Sequence, residues 1–155
     1  MSDELLVKEL DAAGDKIRAA FSAALLDVGL EIERAVVDYI EARGHQVEGA
    51  LKQSINTQLD ESPDQIAVRV GTVLWYAIFV HEPTRPHWVP LNALRVWVHR
   101  KFGLTGKEVE KKAKAVQFAI SKRGTKAHPF LKDVFKIYRP KIERMVADRV
   151  KEKLL

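Results

Sequence analysis

Apolar residues recur every three or four positions over the first forty residues, and this periodicity restricts the fold more than any other feature of the chain. The stripe consists of Leu6, Leu10, Ala13, Ile17, Phe21, Leu25, Val28, Ile32, Val36 and Ile40. Such spacing places the side chains on one face of an α-helix, with Ser2 as the expected N-cap and Gly44 as the expected stop. About 40 helical residues span roughly 60 Å. We therefore expect a bend at Gly14 or Gly29, or a helix that projects towards another subunit.

The hydrophobic period changes from helical spacing to strict alternation after residue 54. Residues 55–59 and 66–70 alternate apolar with polar side chains, and Pro63-Asp64 stands in the segment between them. This pattern predicts a β-hairpin with its turn at Pro63-Asp64 and its end at Gly71-Thr72.

Three further helical patterns follow residue 90. They cover residues 91–98, 109–120 and 130–154. Gly103 and Gly124 are expected to end the first and second of these helices, while Thr105 and Glu108 have the spacing of a capping box at the start of the second. Pro140 predicts a kink or a restart within the third, because proline removes a backbone hydrogen bond and clashes with the preceding turn.

These elements together predict an α+β fold. We expect a long N-terminal helix and C-terminal helices packed on a small antiparallel β-sheet. The length of 155 residues is enough for one hydrophobic core and short for two, so we expect a single domain that covers residues 1–155.

The composition excludes several classes of protein. The chain has no cysteine, which excludes disulfide frameworks and thiolate zinc sites and fits a reducing compartment. The first residues are acidic and amphipathic rather than basic and then apolar, so we expect no secretory signal. No run approaches the about 18 apolar residues that a membrane span requires, and we expect no membrane partner.

Charge is divided unevenly along the chain. Residues 1–66 carry 6 Lys/Arg and 14 Asp/Glu, a net charge of −8, whereas residues 67–155 carry 20 and 7, a net charge of +13. The acidic half of one subunit could therefore meet the basic half of the next. The densest basic segment, residues 100–126, is called the basic surface below. It is consistent with binding of DNA phosphates and with an ordinary solvated helix face.

The cations of the basic surface that would face DNA are Arg100, Lys101, Lys111, Lys112, Lys114, Lys122 and Arg123. Aromatic residues are interleaved with these cations at Trp97 and Phe102, and such an arrangement can stack on bases. Trp97, however, belongs to the apolar stripe of its own helix, so packing in the core is the favoured interpretation of this residue.

Residues 76–90, which read YAIFVHEPTRPHWVP, are called the lip. The first five residues are apolar and fit either one short helical turn or a buried strand. Pro83, Pro86 and Pro90 then force an extended path. Because such a path leaves backbone groups unpaired and fixed in place, the lip is suited to being gripped by a partner.

The lip also contains the residues that most resemble a metal or catalytic site. A zinc-hydrolase motif needs two histidines one helical turn apart, whereas His81 and His87 are six residues apart, with Pro83 and Pro86 between them. We therefore expect no metal and no cofactor, and histidines that pack against Trp88 or hydrogen-bond a turn.

The rest of the chain gives no better catalytic candidate. No nucleophile stands between flanking glycines in a strand-to-helix elbow, and no glycine-rich loop could hold phosphates. The grouped carboxylates of the first helix are expected on its solvated face; they are Glu31, Glu33, Asp38 and Glu41. The sequence predicts no enzyme.

Three short segments carry a resemblance to a known family. They are GALKQSI (residues 49–55), YAIFVHEPTRPH (residues 76–87) and RGTKAHPFL (residues 123–131). In this order they resemble the motifs Gly-x-Leu-x-x-Ser-Ile, Tyr-Ala-x-x-Val-(His/Glu)-x-Gly-Thr and Gly-Thr-x-x-x-Pro-Phe-Leu of tailed-phage tail-component proteins. These are the tail-completion or minor tail proteins that include the lambda protein Z group. The sequence departs from the family at Pro83, where glycine is usual.

The resemblance implies a non-enzymatic virion protein of the tail or neck, made in the host bacterial cytoplasm, which completes the tail or joins it to the head. Its implied partners are other phage tail or neck proteins and further copies of itself in an oligomeric ring. The residues implied to shape the lip are Tyr76, Phe79, His81, Thr84, Arg85 and Trp88, and those implied to anchor the last helix beside it are Gly124, Thr125, Pro129 and Phe130. The alternative is a DNA-binding module that uses the basic surface.

Overall fold

The computed structural model describes residues 3–42 and 49–155, with side chains from residue 7 onward. Within these residues the elements are α1 (Asp3–Ala42), α2 (Gly49–Ser54), β1 (Ile55–Ser62), β2 (Gln65–Thr72), α3 (Ala77–His81), α4 (Leu91–Phe102), α5 (Gly106–Arg123), α6 (Phe130–Tyr138) and α7 (Ile142–Leu154). The two strands pair in one antiparallel sheet, which confirms the predicted α+β fold. The expected cap at Ser2 and the expected stop at Gly44 lie outside the described residues.

Helix α1 is continuous over its forty residues, so neither Gly14 nor Gly29 interrupts it. Gly29 instead permits close packing on the hairpin. A Cβ atom at this position would lie 2.4 Å from Cγ1 of Val68 and 2.7 Å from Cγ2 of Thr57, distances that van der Waals contact forbids. The sequence suggested Gly29 as a bend, but what requires glycine at this position is the packing of α1 on the Val68 and Thr57 side chains.

Only one half of the apolar stripe of α1 is covered within the chain. The buried half is Val28, Ile32, Val36 and Ile40, none of which is more than 4% exposed. The exposed part, called the N-terminal stripe below, consists of Leu10, Ile17 and Phe21 of the predicted stripe and the neighbouring Val7, which are 42–63% exposed. The sequence predicted the helical face correctly, but tertiary packing decided how much of it is buried.

The predicted hairpin and the helix boundaries are largely confirmed. The strands meet at a two-residue turn of Pro63-Asp64, and the segment GALKQS that precedes them is the short helix α2. Gly103 ends α4 in a left-handed conformation with φ of 65°. Pro140 separates α6 from α7, as its missing N–H predicts.

The predicted capping box at Thr105 is wrong. Thr105 precedes α5 but its side chain makes no hydrogen bond to the helix. The physical reason is the next residue: Gly106 has a φ of +59°, which lies outside the right-handed helical region. Thr105 therefore stands one residue too far from the first turn for its hydroxyl to reach the free N–H groups.

The chain groups into two compact units. The first comprises Met1–Ala35, Asn56–Gly71 and Val134–Leu155, and the second comprises Val36–Ile55 and Thr72–Asp133. The prediction of a single domain covering the chain stays a prediction.

Ion pairs join α1 to α7 within the first unit. Arg149 Nη2 lies 3.0 Å from Glu31 Oε2, and Lys153 Nζ lies 2.7 Å from Asp27 Oδ2. Glu33 accepts a hydrogen bond of 2.6 Å from the Thr57 hydroxyl. Glu31 and Glu33 are therefore half-buried and bonded rather than freely solvated as expected: Glu31 is paired with Arg149 of the basic half, and Glu33 accepts from a neutral hydroxyl.

The second unit has a core between α4 and α5. Its buried centre is formed by Leu94, Val98 and Ala113, and Trp97 is among the partly buried residues that pack against it. Trp97 is therefore part of the core, as its position in the apolar stripe of α4 predicts.

Candidate functional site

The lip begins with the single-turn helix α3 and continues without regular secondary structure from residue 82 to residue 90. Of the two conformations that its apolar start allows, the helical turn is the one formed. Tyr76 is the residue at the N-terminus of this turn, and Glu82 at its C-terminus is extended, with φ of −105° and ψ of 152°. The three prolines then prevent the helix from continuing.

Paired threonines tie the lip to the segment of residues 124–130, called the closing segment below. The Thr84 N–H donates to the Thr125 carbonyl oxygen at 3.3 Å, and the Thr125 N–H donates to Thr84 Oγ1 at 3.0 Å. The two hydroxyl oxygens are 2.9 Å apart. The prediction that the lip leaves its backbone unpaired is therefore wrong at Thr84, where two segments some forty residues apart in the chain are joined.

Gly124 is required by this junction. Its φ of 70° and ψ of −161° belong to a region that glycine alone occupies without strain. A Cβ atom here would lie 1.8 Å from the Thr84 carbonyl oxygen and 2.8 Å from its carbon. Both the backbone conformation and the close approach therefore demand glycine. The sequence indicated Gly124 as a helix stop, and the family resemblance implied that it anchors the last helix beside the lip.

Further contacts fix the end of α3 against the closing segment. The His128 N–H donates to the Val80 carbonyl oxygen at 2.9 Å. Phe130, only 2% exposed, meets the His81 ring edge to face with centroids 5.2 Å apart. Pro129 is half-buried, and its carbonyl oxygen accepts from the Asp133 N–H at 2.8 Å in the first turn of α6.

The lip histidines have structural contacts. His81 Nδ1 donates to Glu82 Oε1 at 2.9 Å, and its Nε2 accepts a long hydrogen bond of 3.4 Å from the Lys132 N–H. His87 Nδ1 donates to the Arg85 carbonyl oxygen at 2.8 Å. The ring that packs on His81 is Phe130 rather than the expected Trp88. In the described part of the chain, no three His, Asp or Glu side chains are grouped so as to hold a metal ion.

The outer face of the lip is aromatic and exposed. Phe79 and Trp88 are 56% and 69% exposed, and Arg85 is also exposed, while Tyr76 and Thr84 are half-buried. Sequence reasoning brought these residues together but could not separate those that face solvent from those that hold the lip in place.

Sequence reasoning missed two exposed residues that precede the lip. Val73 and Trp75 follow the last strand and are 80% and 78% exposed. Trp75 meets both Tyr76 and Phe79 edge to face, with centroids 6.0 Å apart in each pair. The sequence feature that could have indicated this exposure is the position of Trp75 between a strand end and a one-turn helix, outside any amphipathic pattern.

A cavity of about 530 Å³ borders the lip and the closing segment in the second unit. Apolar side chains form most of its lining, among them Phe79, Leu94, Trp97 and Ile120. Two exposed cations, Lys101 and Lys126, also line it. The volume lies within the range of about 300–1,000 Å³ that binding pockets have.

The structure divides the predicted basic surface. Lys111, Lys114 and Lys122 share one face of α5 by their spacing, with the exposed Phe118 among them. Lys101 and Lys112 instead stand over the Phe102 ring, at 5.9 Å and 5.1 Å from its centroid. The remaining two predicted cations, Arg100 and Arg123, are exposed near the ends of α4 and α5.

An ion pair joins α4 to α5. Arg95 Nε and Nη2 donate to the two carboxylate oxygens of Glu110 at 2.6 Å and 3.0 Å, and Lys114 Nζ lies 3.2 Å from the same carboxylate. Hydrogen bonds from Arg95 and then Lys114 lower the pKa of Glu110 to about 2. The same bond raises the pKa of Arg95, so both groups remain charged near neutrality.

Across residues 3–42 and 49–155, none of the helices is both long and apolar enough to cross a membrane. The features that the described residues bring together are thus an exposed aromatic lip, an apolar cavity beside it and a divided basic surface. Comparison of the chain with protein-family models, with curated proteins and with solved structures finds no match.

Proposed function

We propose that this chain is a non-enzymatic structural protein of a tailed-phage virion, which acts in tail completion or head–tail joining through protein–protein contacts. The observation that carries the proposal is the lip: a proline-bounded segment with exposed aromatic residues, joined to the closing segment by backbone and side-chain hydrogen bonds. The resemblance of three ordered sequence segments to the tail-completion family supports the same function.

A fixed lip lowers the cost of binding. A partner that grips a mobile loop must order it, and ordering opposes association. The hydrogen bonds between Thr84 and Thr125, together with the glycine-dependent contact at Gly124, hold the lip in one conformation before any partner arrives. Large exposed aromatic residues such as Trp88 are the residue type that most often dominates binding energy at protein interfaces.

The proposed roles separate the lip residues into two groups. Phe79, Arg85 and Trp88 are exposed and would contact other virion proteins. The residues that hold the lip in position are Tyr76, His81, Thr84, Gly124, Thr125, Pro129 and Phe130. Substitutions in the first group should therefore disturb assembly without disturbing the fold.

The experiment replaces Trp88 or Arg85 with alanine in an infectious phage genome that encodes this chain. We expect folded subunits and an accumulation of heads and tails that do not join, visible by electron microscopy. Phe118→Ala is the matched control, because Phe118 is 58% exposed on α5 and lies outside the lip. Normal virions from both lip variants would refute the proposal.

A DNA-binding module is the second candidate, and one observation favours it. Lys111, Lys114 and Lys122 share a face of α5 with the exposed Phe118, which combines phosphate-binding cations with a ring that can stack on bases. Fluorescence anisotropy with duplex DNA tests this candidate. An affinity that falls steeply with salt, and that Lys111→Glu weakens, would support it, whereas no binding at low salt would remove it.

A further inference from the structure

The N-terminal stripe of α1 has the form of a helix that docks in a groove. Val7, Leu10, Ile17 and Phe21 are exposed, and with Gly14 between them the positions recur at intervals of three and four. Helices that bind grooves present their anchors at this spacing. Removal of these four apolar side chains from water would contribute favourable free energy to association with a partner.

Two acidic residues run beside this stripe, on an edge of α1 that also carries Lys8 and Arg18. Asp11 and Asp15 are one helical turn apart and exposed, and neither forms an ion pair with another described residue. Further along α1 the situation differs, because Asp27 and Glu31 are paired with Lys153 and Arg149 of α7. Two carboxylates without an ion pair among the described residues therefore lie next to the uncovered apolar residues.

The cavity beside the lip has the complementary chemistry. Leu94, Val116 and Ile120 contribute buried or half-buried apolar surface to it, and Lys101 and Lys126 are its exposed cations. An occupant that matches this lining is an amphipathic helix with an apolar face and an acidic edge. The N-terminal half of α1 in another copy of this chain has both properties.

We propose that the N-terminal stripe of one copy docks in the cavity of a second copy, with Asp11 and Asp15 facing Lys101 and Lys126. The contact joins two different surfaces, so it is heterologous and repeats from copy to copy into a closed ring or a filament. This inference rests on the proposed function to the extent that it supplies the contact for the ring, and it makes the cavity the receptor for a neighbouring subunit.

The test uses charge reversal in the full-length purified chain. One variant carries Asp11→Lys and Asp15→Lys, and a second carries Lys101→Glu and Lys126→Glu. All four positions are exposed, so each variant is expected to fold, which far-UV circular dichroism checks. The matched control carries Lys107→Glu and Lys111→Glu, an equal change of charge on the face of α5 that does not line the cavity.

Sedimentation velocity over a series of protein concentrations, at low and high salt, measures self-association. We expect the wild-type chain to associate more weakly at high salt, because exposed charges are screened. Each reversed variant should weaken association by about fivefold or more, while the control stays near the wild type. A mixture of the two reversed variants should associate better than either alone, because it restores one wild-type contact and creates one exchanged pair.

The apolar part of the contact has its own variant. Leu10→Ala removes an exposed anchor and leaves every charge in place, and we expect it to weaken association by about fivefold or more.

Three results would overturn the inference: a wild-type chain that stays monomeric at every concentration, a control that weakens as much as the two variants, or a mixture that restores nothing. None of these results affects the phage test of the lip, so the two proposals fail separately.

Discussion

Replacement of Gly124 by alanine is the most informative single perturbation of the lip. The added Cβ atom would lie 1.8 Å from the Thr84 carbonyl oxygen, and the φ of +70° is already unfavourable for any residue with a Cβ. The substitution therefore combines a conformational cost with a steric clash. The clash can be relieved only by moving Thr84 away from Thr125, which breaks their hydrogen bonds.

The magnitude follows from these two costs. A residue other than glycine in this backbone region costs about 1–3 kcal/mol, and loss of two hydrogen bonds costs about 1–3 kcal/mol more. We expect Gly124→Ala to lower the free energy of unfolding by about 2–6 kcal/mol. This is a large fraction of the about 5–15 kcal/mol that stabilises an ordinary domain.

Substitutions at two other glycines measure the conformational cost and the steric cost separately. Gly103 has a φ of +65° with nothing within 4 Å of an added Cβ, so Gly103→Ala should cost only about 1–2 kcal/mol. Gly29 lies inside α1 and has the clash with Val68 and Thr57, so Gly29→Ala should cost about 1–3 kcal/mol through overpacking alone. Urea unfolding followed by circular dichroism measures all three variants. A cost for Gly124→Ala no larger than that for Gly103→Ala would refute the role of the Thr84 contact.

Two further predictions concern residues of the second unit. The pKa of Glu110 is lowered to about 2 from 4.5, so the stabilisation that its ionised form provides is present above pH 4.5 and is lost as the pH falls towards 2. The melting temperature of Glu110→Gln should therefore depend less on pH over this interval than that of the wild type. An equal pH dependence of the two melting temperatures would contradict this. Leu51 in α2 is fully buried, so Leu51→Ala should lower the free energy of unfolding by about 2–5 kcal/mol. Leu10→Ala at an exposed position should change the stability of the monomer by no more than about 0.5 kcal/mol, and equal losses from both substitutions would contradict the burial of Leu51.

Local sequence signals located the elements because each signal acts over a few residues. The apolar spacing of α1, the alternation on either side of Pro63-Asp64 and the break at Pro140 depend on backbone geometry that neighbouring residues impose, and all three are confirmed. The capping box at Thr105 failed because the left-handed Gly106 intervenes. The spacing of Thr105 and Glu108 did not reveal the conformation of Gly106, which lies between them.

The contacts of the candidate site depend on residues that are distant along the chain. The family resemblance implied that the closing segment lies beside the lip, and Thr84 and Thr125 are in contact. Their reciprocal hydrogen bonds, and the demand for glycine at Gly124, join residues some forty positions apart and depend on the path of the chain between them. Trp75 was missed because exposure of an aromatic residue is a property of the surface that surrounds it.

The sequence by itself determined the α+β class, the order of helices and hairpin, and the uneven division of charge, because periodicity, turn residues and charge counts are local or additive properties. Tertiary structure alone decided that Gly29 packs against the hairpin without interrupting α1. It also decided that Asp27 and Glu31 form ion pairs with α7, whereas Asp11 and Asp15 form none with the described residues. It also decided that the stripe of α1 is buried from Val28 onward and exposed at Leu10, Ile17 and Phe21. Each of these outcomes depends on which distant surface lies within van der Waals or hydrogen-bond reach, and no spacing along the chain contains that information.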